Sequence, residues 1–134
     1  MIKIIIAGGR DFNSYDMVCE GMQAIMRDYD LDLSEIEIVS GGARGADALG
    51  ERYAKEHNLP LTLFPADWDA YGNAAGPIRN AEMAQYADML LAFWDGKSRG
   101  TKHMIDTMKV KRKHGKVIEY GIGGIQNGVR RICD

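Results

Sequence analysis

Four arginines of the chain follow short apolar runs, and each lies in a turn rich in glycine or polar residues. Arg10 lies in "GGRDF", Arg44 in "SGGARGAD", Arg79 in "GPIRN" and Arg99 in "DGKSRGT". A guanidinium group is planar and carries five donors, so it can bind phosphate or carboxylate in a bidentate way. Lysine is nearly as abundant, yet only Lys97 lies clearly inside one of these turns. The preference for arginine predicts an anion-binding site.

Glycines in the first two turns indicate the same chemistry. They are Gly8, Gly9, Gly41, Gly42 and Gly45. Without a Cβ atom, they let backbone N–H groups approach a ligand and make positive φ values available. The helix that should begin near Ala46 would point its positive end at the same ligand. The chain contains neither GxGxxG nor GxxxxGK[ST], which argues against hydride transfer and against phosphoryl transfer of the P-loop kind.

Other side chains in or near the turns have two possible roles each. Asp47 could cap its helix or contact a ribose hydroxyl, and Asp95 could hold a divalent ion with phosphates or shape its turn. One of three aromatic residues could stack on a base, although core packing explains an isolated aromatic residue more simply. The three are Trp68, Tyr71 and Trp94. His57, His103 and His114 share no ligand spacing, so we expect no histidine-based metal site.

Short apolar runs alternate along the chain with segments of helical period, which is typical of a parallel sheet with crossover helices. The predicted strands are 2–7, 36–39, 61–64, 88–94 and 116–120. Because crossovers between parallel strands are right-handed, the turns that follow the strands meet at the carboxyl edge of the sheet. The sequence predicts an α/β fold: a small, doubly wound, Rossmann-like parallel sheet of five strands with four helices, distributed over both faces. The four arginines should share one edge of it.

Capping residues predict where the helices begin and end. Asn13 or Ser14 can cap the first helix, and Pro77 suits the first position of the third. The fourth helix should end in "KVKRKHG", with Gly115 as its stop. Residues 65–77 should form a long aromatic loop.

The chain of 134 residues has the size of one domain. We assign residues 1–120 to a nucleotide-binding domain and 121–134 to a glycine-rich tail, which could be disordered or could order on a partner subunit. A formal net charge of -2 argues against a broad surface for a polyelectrolyte. No apolar run has transmembrane length and the N-terminus does not read as a secretory signal, so we expect a cytoplasmic protein without membrane contact. Cys19 and Cys133 form no CxxC motif.

Four motifs in this order resemble the SLOG superfamily of Rossmann-like proteins, and most closely its small stand-alone branch, the YspA or cpYpsA-related type. The motifs are "GGRDF", "SGGARGAD", "GPIRNAEMAQYADMLLAFWDG" and "SRGTKHMID". The resemblance implies a nucleotide or nucleotide-derived ligand at the carboxyl edge, with ADP-ribose or NAD-like molecules favoured. It also implies a bacterial or phage source and assembly as a homo-oligomer, a dimer or higher.

The third motif also resembles the LOG phosphoribohydrolases, which cleave the N-glycosidic bond of nucleoside monophosphates. Their pattern is R-K-x-x-M followed by P-G-G-x-G-T-x-x-E. The matching residues here are Arg79, Met83, Gly100 and Thr101, and Asn80 replaces the lysine. Met104 stands at the position of the family's glutamate, and a thioether cannot act as an acid or base. A hydrolase would need another carboxylate, for which Asp95, Glu82 and Asp11 are the candidates.

The second motif, "SGGARGAD", also resembles the S-G-x-A-x-G-I-D motif of the DprA/Smf proteins, which bind single-stranded DNA during transformation. Those proteins have further domains and a more basic surface. This chain has no room for another domain and no net positive charge. Both features argue against nucleic acid as its partner.

We therefore expect a module that binds a phosphorylated nucleotide as a sensor, carrier or sequestering protein. Nucleotide N-glycosidic hydrolysis and DprA-like DNA binding are the alternatives. No catalytic residue is assigned, and the one cofactor considered is a divalent cation that could accompany the nucleotide. The first two turns should hold phosphates, and the third and fourth should complete the pocket. The expected ligand-binding residues are Gly8, Gly9, Arg10, Asp11, Ser40, Gly41, Gly42, Arg44, Gly45, Asp47, Trp68, Gly76, Arg79, Asn80, Asp95, Ser98, Gly100 and Thr101.

Overall fold

The computed structural model describes residues 1–121 and 126–133 and contains one sheet with helices on both faces. The strands are β1 (Ile2–Gly8), β2 (Ile36–Ser40), β3 (Leu61–Leu63), β4 (Met89–Trp94), β5 (His114–Tyr120) and β6 (Gln126–Arg131). The helices are α1 (Tyr15–Asp28), α2 (Ala46–Glu56), α3 (Trp68–Tyr71), α4 (Ala75–Tyr86) and α5 (Arg99–Val110). The strand order is β3-β2-β1-β4-β5-β6. The prediction of a Rossmann-like α/β fold is confirmed, and among the described residues no helix could span a membrane.

The sheet has six strands, so the prediction of five was wrong. Strands β1 to β5 pair in parallel, whereas β6 runs antiparallel to β5, with Lys116 opposite Arg131 and Ile118 opposite Val129. The sixth strand comes from the predicted tail, where most side chains of β6 are exposed and give no alternation of apolar and polar residues. Its backbone pairing with β5 forms the strand without such a signal. Residues 122–125 and 134 of the predicted tail lie outside the described residues, and the boundary at residue 120 stays a prediction.

The core lies on both sides of the two central strands, β1 and β4. Ile4 and Ile6 of β1 pack with α1 and α2 on one face, whereas Ile5 of β1 and Leu90 of β4 pack with α4 and α5 on the other. All four side chains are fully buried. Burial on both faces explains why these strands are apolar almost throughout. It also fixes the carboxyl ends of β1 and β4 side by side, where the turns of the predicted site begin.

Two predicted helix starts have different outcomes. Ser14 caps α1, because its hydroxyl accepts a hydrogen bond from Met17 N at 3.3 Å. The third predicted helix, α4, begins at Ala75 instead of Pro77, which still lies in the first turn, where no intrahelical N–H donor is needed. The segment 65–77 is not one loop, since Asp67 caps the short helix α3 by accepting from Ala70 N at 3.0 Å.

Gly115 is not the stop of α5, which ends at Val110. Gly115 lies inside β5 with a backbone φ of 141°, a value that residues with a Cβ atom rarely adopt. A Cβ atom at this residue would lie 1.9 Å from the carbonyl oxygen of Leu90 in β4. The glycine therefore lets β5 approach β4 closely enough to pair.

We expect Gly115→Ala to lower the free energy of unfolding by at least about 2 kcal/mol, because it adds both backbone strain and a clash with β4. The measurement is urea denaturation followed by circular dichroism. Gly128→Ala in β6 is the matched control, because a Cβ atom there would meet no heavy atom within 4 Å. Equal stability of the two variants would contradict the role given to Gly115.

Candidate functional site

Three neighbouring cavities lie at the carboxyl edge of the sheet. The first has a volume of about 370 Å³ and is bordered by Gly8, Asp47, Ser98, Thr101 and Met104. The second, of about 410 Å³, is bordered by Trp68, Gly76, Pro77, Arg99 and His103. The third, of about 130 Å³, is bordered by Gly41, Gly42, Pro65 and Ala66. All three cavities share Arg10 and Arg79, so these two arginines join them into one site.

Arg79, which was predicted to lie in a turn, lies in α4, and its guanidinium group is held against the turn that follows β2. Its Nη1 donates to the carbonyl oxygen of Gly41 at 2.6 Å, and its Nε donates to Asn80 Oδ1 at 3.1 Å. A Cβ atom at Gly41 would lie 2.4 Å from Arg79 Nη1, so the glycine makes room for the guanidinium. Burial lowers the pKa of Arg79, while the nearby Asp47 carboxylate acts in the opposite direction. An arginine fixed in this way presents its remaining donors in one orientation.

Asp47 is a buried carboxylate that lines the first cavity. It lies in the first turn of α2, and its Oδ2 accepts from Ala43 N at 3.2 Å. Burial raises the pKa of Asp47, and the Ala43 N–H and the Arg79 charge offset part of that effect. The side chain therefore holds its proton more strongly than an exposed aspartate does.

The motif "SGGARGAD" also fastens neighbouring turns to each other. The Ser40 hydroxyl accepts from Gly42 N at 3.1 Å and donates to Glu51 Oε2 at 2.9 Å. Gly45 has a φ of 78°, and a Cβ atom there would lie 2.3 Å from the carbonyl oxygen of Gly9. The same oxygen accepts from Ala46 N at 3.1 Å. The first N–H of α2 is thus occupied by the first turn, and for the other N–H groups at this helix end the contact with a ligand stays a prediction.

The fourth turn is shaped by Asp95 and leads into α5. Asp95 Oδ1 accepts from the N–H groups of Lys97 and Ser98, both at 2.8 Å, and these bonds lower the pKa of Asp95. Ser98 then caps α5: its Oγ accepts from Thr101 N at 3.4 Å and its carbonyl oxygen accepts from Lys102 N at 3.1 Å. Because the first N–H groups of a helix have no intrahelical partner, those of Arg99 and Gly100 are the ones left for a ligand.

The structure brings most, but not all, of the predicted residues together. Those that line the first cavity are Gly8, Arg10, Asp47, Arg79, Asn80, Ser98, Gly100 and Thr101. Trp68 and Gly76 line the second cavity, and Gly41 and Gly42 line the third. The predicted residues outside these three linings are Gly9, Asp11, Ser40, Arg44, Gly45 and Asp95. Arg44 is exposed, and Asp11 accepts a hydrogen bond from the Tyr120 hydroxyl at 3.2 Å.

His103 is a site residue that the ligand-binding prediction omitted. It lines the second cavity, and its Nδ1 lies 3.2 Å from Asn80 Nδ2. The sequence could have indicated this residue, because residue 103 follows Gly100 by three positions and so lies on the same face of the helix. Within residues 1–121 and 126–133, no three His, Cys, Asp or Glu side chains are grouped to hold a metal ion. A cation that arrives with a nucleotide stays a prediction.

A family model and a phage protein are both similar to this chain. The model of the YspA, cpYpsA-related SLOG family, YAcAr, matches residues 2–71. The "Gene 61 protein" of Mycobacterium phage D29 is 34% identical over 128 residues, which are 90% of this chain and 98% of that protein. The family match includes the first two turns, and the phage relative extends the similarity over most of the chain.

We expect Asp47→Asn to change how stability depends on pH. Because the pKa of Asp47 is raised in the folded protein, its contribution to stability declines as the pH rises from the unfolded value of about 4 towards the folded one. The variant should remove this decline, which for one group cannot exceed a slope of about 1.4 kcal/mol per pH unit. The measurement is urea denaturation of wild type and variant between pH 4 and 8.

Asp95→Asn is the control with the opposite sign. The pKa of Asp95 is lowered by folding, so its contribution to stability is present above the unfolded pKa and is lost as the pH falls. Its variant should therefore lose stability relative to wild type at neutral pH. If the two variants shifted the pH profile in the same direction, the assignment of Asp47 as a desolvated carboxylate would be wrong.

Proposed function

Because the chain belongs to the YspA, cpYpsA-related SLOG family, we propose that it binds a phosphorylated nucleotide, of the ADP-ribose or NAD-like kind, at the carboxyl edge of its sheet. The family suggests a nucleotide-related ligand, and we propose that the protein acts as a sensor, carrier or sequestering module for it. The observation that carries the proposal is Arg79, which is fixed by Gly41 and Asn80 at the junction of the three cavities.

The first cavity supports phosphate binding by its donors. Arg79 and Arg10 line it, and so do Gly100 and Thr101 of the first turn of α5. Guanidinium groups and free helix N–H groups are both strong donors to phosphate oxygens. The volumes of about 370 and 410 Å³ of the two larger cavities are of the size that small-molecule sites have. A small ligand also suits a chain with a net charge of -2 better than a strand of DNA does, because DNA binding depends on positive charge.

The same cavity supports binding without hydrolysis. Met104, at the position of the LOG glutamate, is buried and lines the first cavity, where a catalytic carboxylate would be needed. The three carboxylates nominated from the sequence, Asp95, Glu82 and Asp11, do not line the described cavities. Asp47 does line the first cavity, and it is the residue on which N-glycosidic hydrolysis, the alternative function, would rest. Homo-oligomer formation stays a prediction, for which light scattering is the test.

We expect Arg79→Lys to weaken the binding of AMP, ADP-ribose or NAD at least tenfold in isothermal titration calorimetry. The variant keeps the charge but loses the planar fork that holds Gly41 and Asn80 while it binds phosphate. A hydrogen bond to a charged group contributes about 1.5 to 3 kcal/mol, which is more than the ~1.4 kcal/mol that corresponds to a tenfold change in affinity. Arg27→Lys is the matched control, because Arg27 is exposed and lies in the last turn of α1.

A thermal melt of each variant separates a loss of binding from a loss of folding. Unchanged affinity of a folded Arg79→Lys protein for every one of these ligands would contradict the proposed phosphate site. Absence of binding by wild type at millimolar concentration would contradict the proposed function itself.

We expect wild-type protein to leave AMP and NAD intact during long incubation, as measured by chromatography for free base. The reason is that the position of the LOG glutamate carries the thioether of Met104. Release of base would favour the hydrolase alternative. Its loss in Asp47→Asn, with binding retained, would then identify Asp47 as the carboxylate that acts.

A further inference from the structure

The second cavity differs in character from the first. Its wall is mostly carbon and includes Trp68 and Pro77 on the side of α3 and α4, and His103 on α5. It shares Asn80 and Gly100 with the first cavity, as well as the two arginines. The proposed phosphate site uses nothing that is unique to this second cavity. A nucleotide phosphate bound in the first cavity would therefore have an apolar, aromatic compartment beside it.

The hydrogen bonds of Asn80 determine which ring nitrogen of neutral His103 carries the hydrogen. Asn80 Oδ1 accepts from Arg79 Nε at 3.1 Å, so the amide orientation is set and Nδ2 faces away from the arginine. Asn80 Nδ2, which can only donate, lies 3.2 Å from both Gly100 O and His103 Nδ1. His103 Nδ1 must then accept, and the neutral imidazole carries its hydrogen on Nε2.

The N–H group on His103 Nε2 makes a long hydrogen bond, which a ligand acceptor at ordinary distance can replace. Its partner is the Thr107 hydroxyl, which can accept from it at 3.5 Å while donating to the carbonyl oxygen of His103 at 2.7 Å. His103 thus borders the second cavity as a donor of known tautomer.

Trp68 borders the same cavity with a large exposed surface. Its side chain is 49% exposed, although an indole ring is among the groups that gain most from burial. A Cβ atom at Gly76 would lie 3.5 Å from the ring, so the start of α4 packs against one side of it. The remaining exposed ring surface can pack against a flat ligand.

We propose that the second cavity is a subsite for a planar nitrogen heterocycle, the base of the bound nucleotide, with Trp68 as its stacking wall and His103 Nε2–H as donor to an acceptor on its edge. This inference rests on the proposed function, which assigns the phosphate to the first cavity. A base stacks on an aromatic side chain whatever its identity, whereas the histidine donor selects bases with an acceptor in reach. The ligand then spans both cavities, and Asn80 connects the group that binds phosphate with the group that reads the base.

The test compares ligands with and without a base. Calorimetry with AMP, with ADP-ribose and with ribose 5-phosphate, which has no base, is run on wild type and on Trp68→Ala, Trp68→Phe, His103→Phe and His103→Gln. We expect Trp68→Ala to lose about tenfold in affinity for AMP or ADP-ribose and less than about twofold for ribose 5-phosphate. Trp68→Phe, which keeps an aromatic ring, should retain most of the affinity that Trp68→Ala loses. His103→Phe should lose affinity for the base-containing ligands alone, and His103→Gln, which keeps a side-chain donor, should lose less.

Tyr71→Ala is the matched control, because Tyr71 belongs to the same short helix, is 54% exposed and lines none of the three cavities. Equal losses for ribose 5-phosphate and the nucleotides, or no loss in either Trp68→Ala or His103→Phe, would overturn the base subsite while the phosphate site stands. Binding of ribose 5-phosphate with the same affinity as both nucleotides in wild type would overturn it as well. If wild type bound none of the three, the proposed function would fail, and the subsite with it.

Discussion

The hydrogen bond of 2.6 Å from Arg79 Nη1 to the carbonyl oxygen of Gly41 is the contact on which the rest of the site depends. It joins the start of α4 to the end of β2, and so it holds two turns that are 38 residues apart in the sequence at one distance. The room for it comes from the missing Cβ atom of Gly41, and its direction comes from Asn80. An arginine without these restraints would lose much side-chain entropy on binding an anion.

The motif "SGGARGAD" resembles a phosphate-binding loop, but several of its residues instead hold neighbouring segments of the chain in place. Ser40 joins its own turn to α2, whereas Gly45 and Ala46 contact the turn after β1. The donors that remain for a ligand come from Arg79 in α4 and from the first residues of α5. The glycine-rich motif therefore borders the cavities, whereas several of the donors that line them come from other segments.

The parallel part of the fold was predictable because both faces of β1 and β4 are buried, so their apolar runs are long and continuous. The strand β6 was not predictable, since its exposed residues carry no alternation and its pairing with β5 is made by the backbone. The residues of the site likewise fall into a predictable and an unpredictable group. A turn at the carboxyl edge follows from topology, which located Arg10 and Arg79. Whether Arg44 faces the cavity depends on contacts between turns that are distant in the sequence. Such contacts cannot be predicted from the residues of one turn alone.

The two edges of the sheet differ in length but have the same effect on association. The edge strand β3 has three residues, which offers few unpaired groups to another strand, although Leu61 and Leu63 are exposed there. The opposite edge, β6, is longer, but it carries Arg130 and Arg131 and begins beside an irregularity in the pairing of β5. Short, charged and irregular edges resist the addition of further strands and so protect a protein from aggregation. Both edges therefore disfavour the addition of a strand from a second copy of this chain.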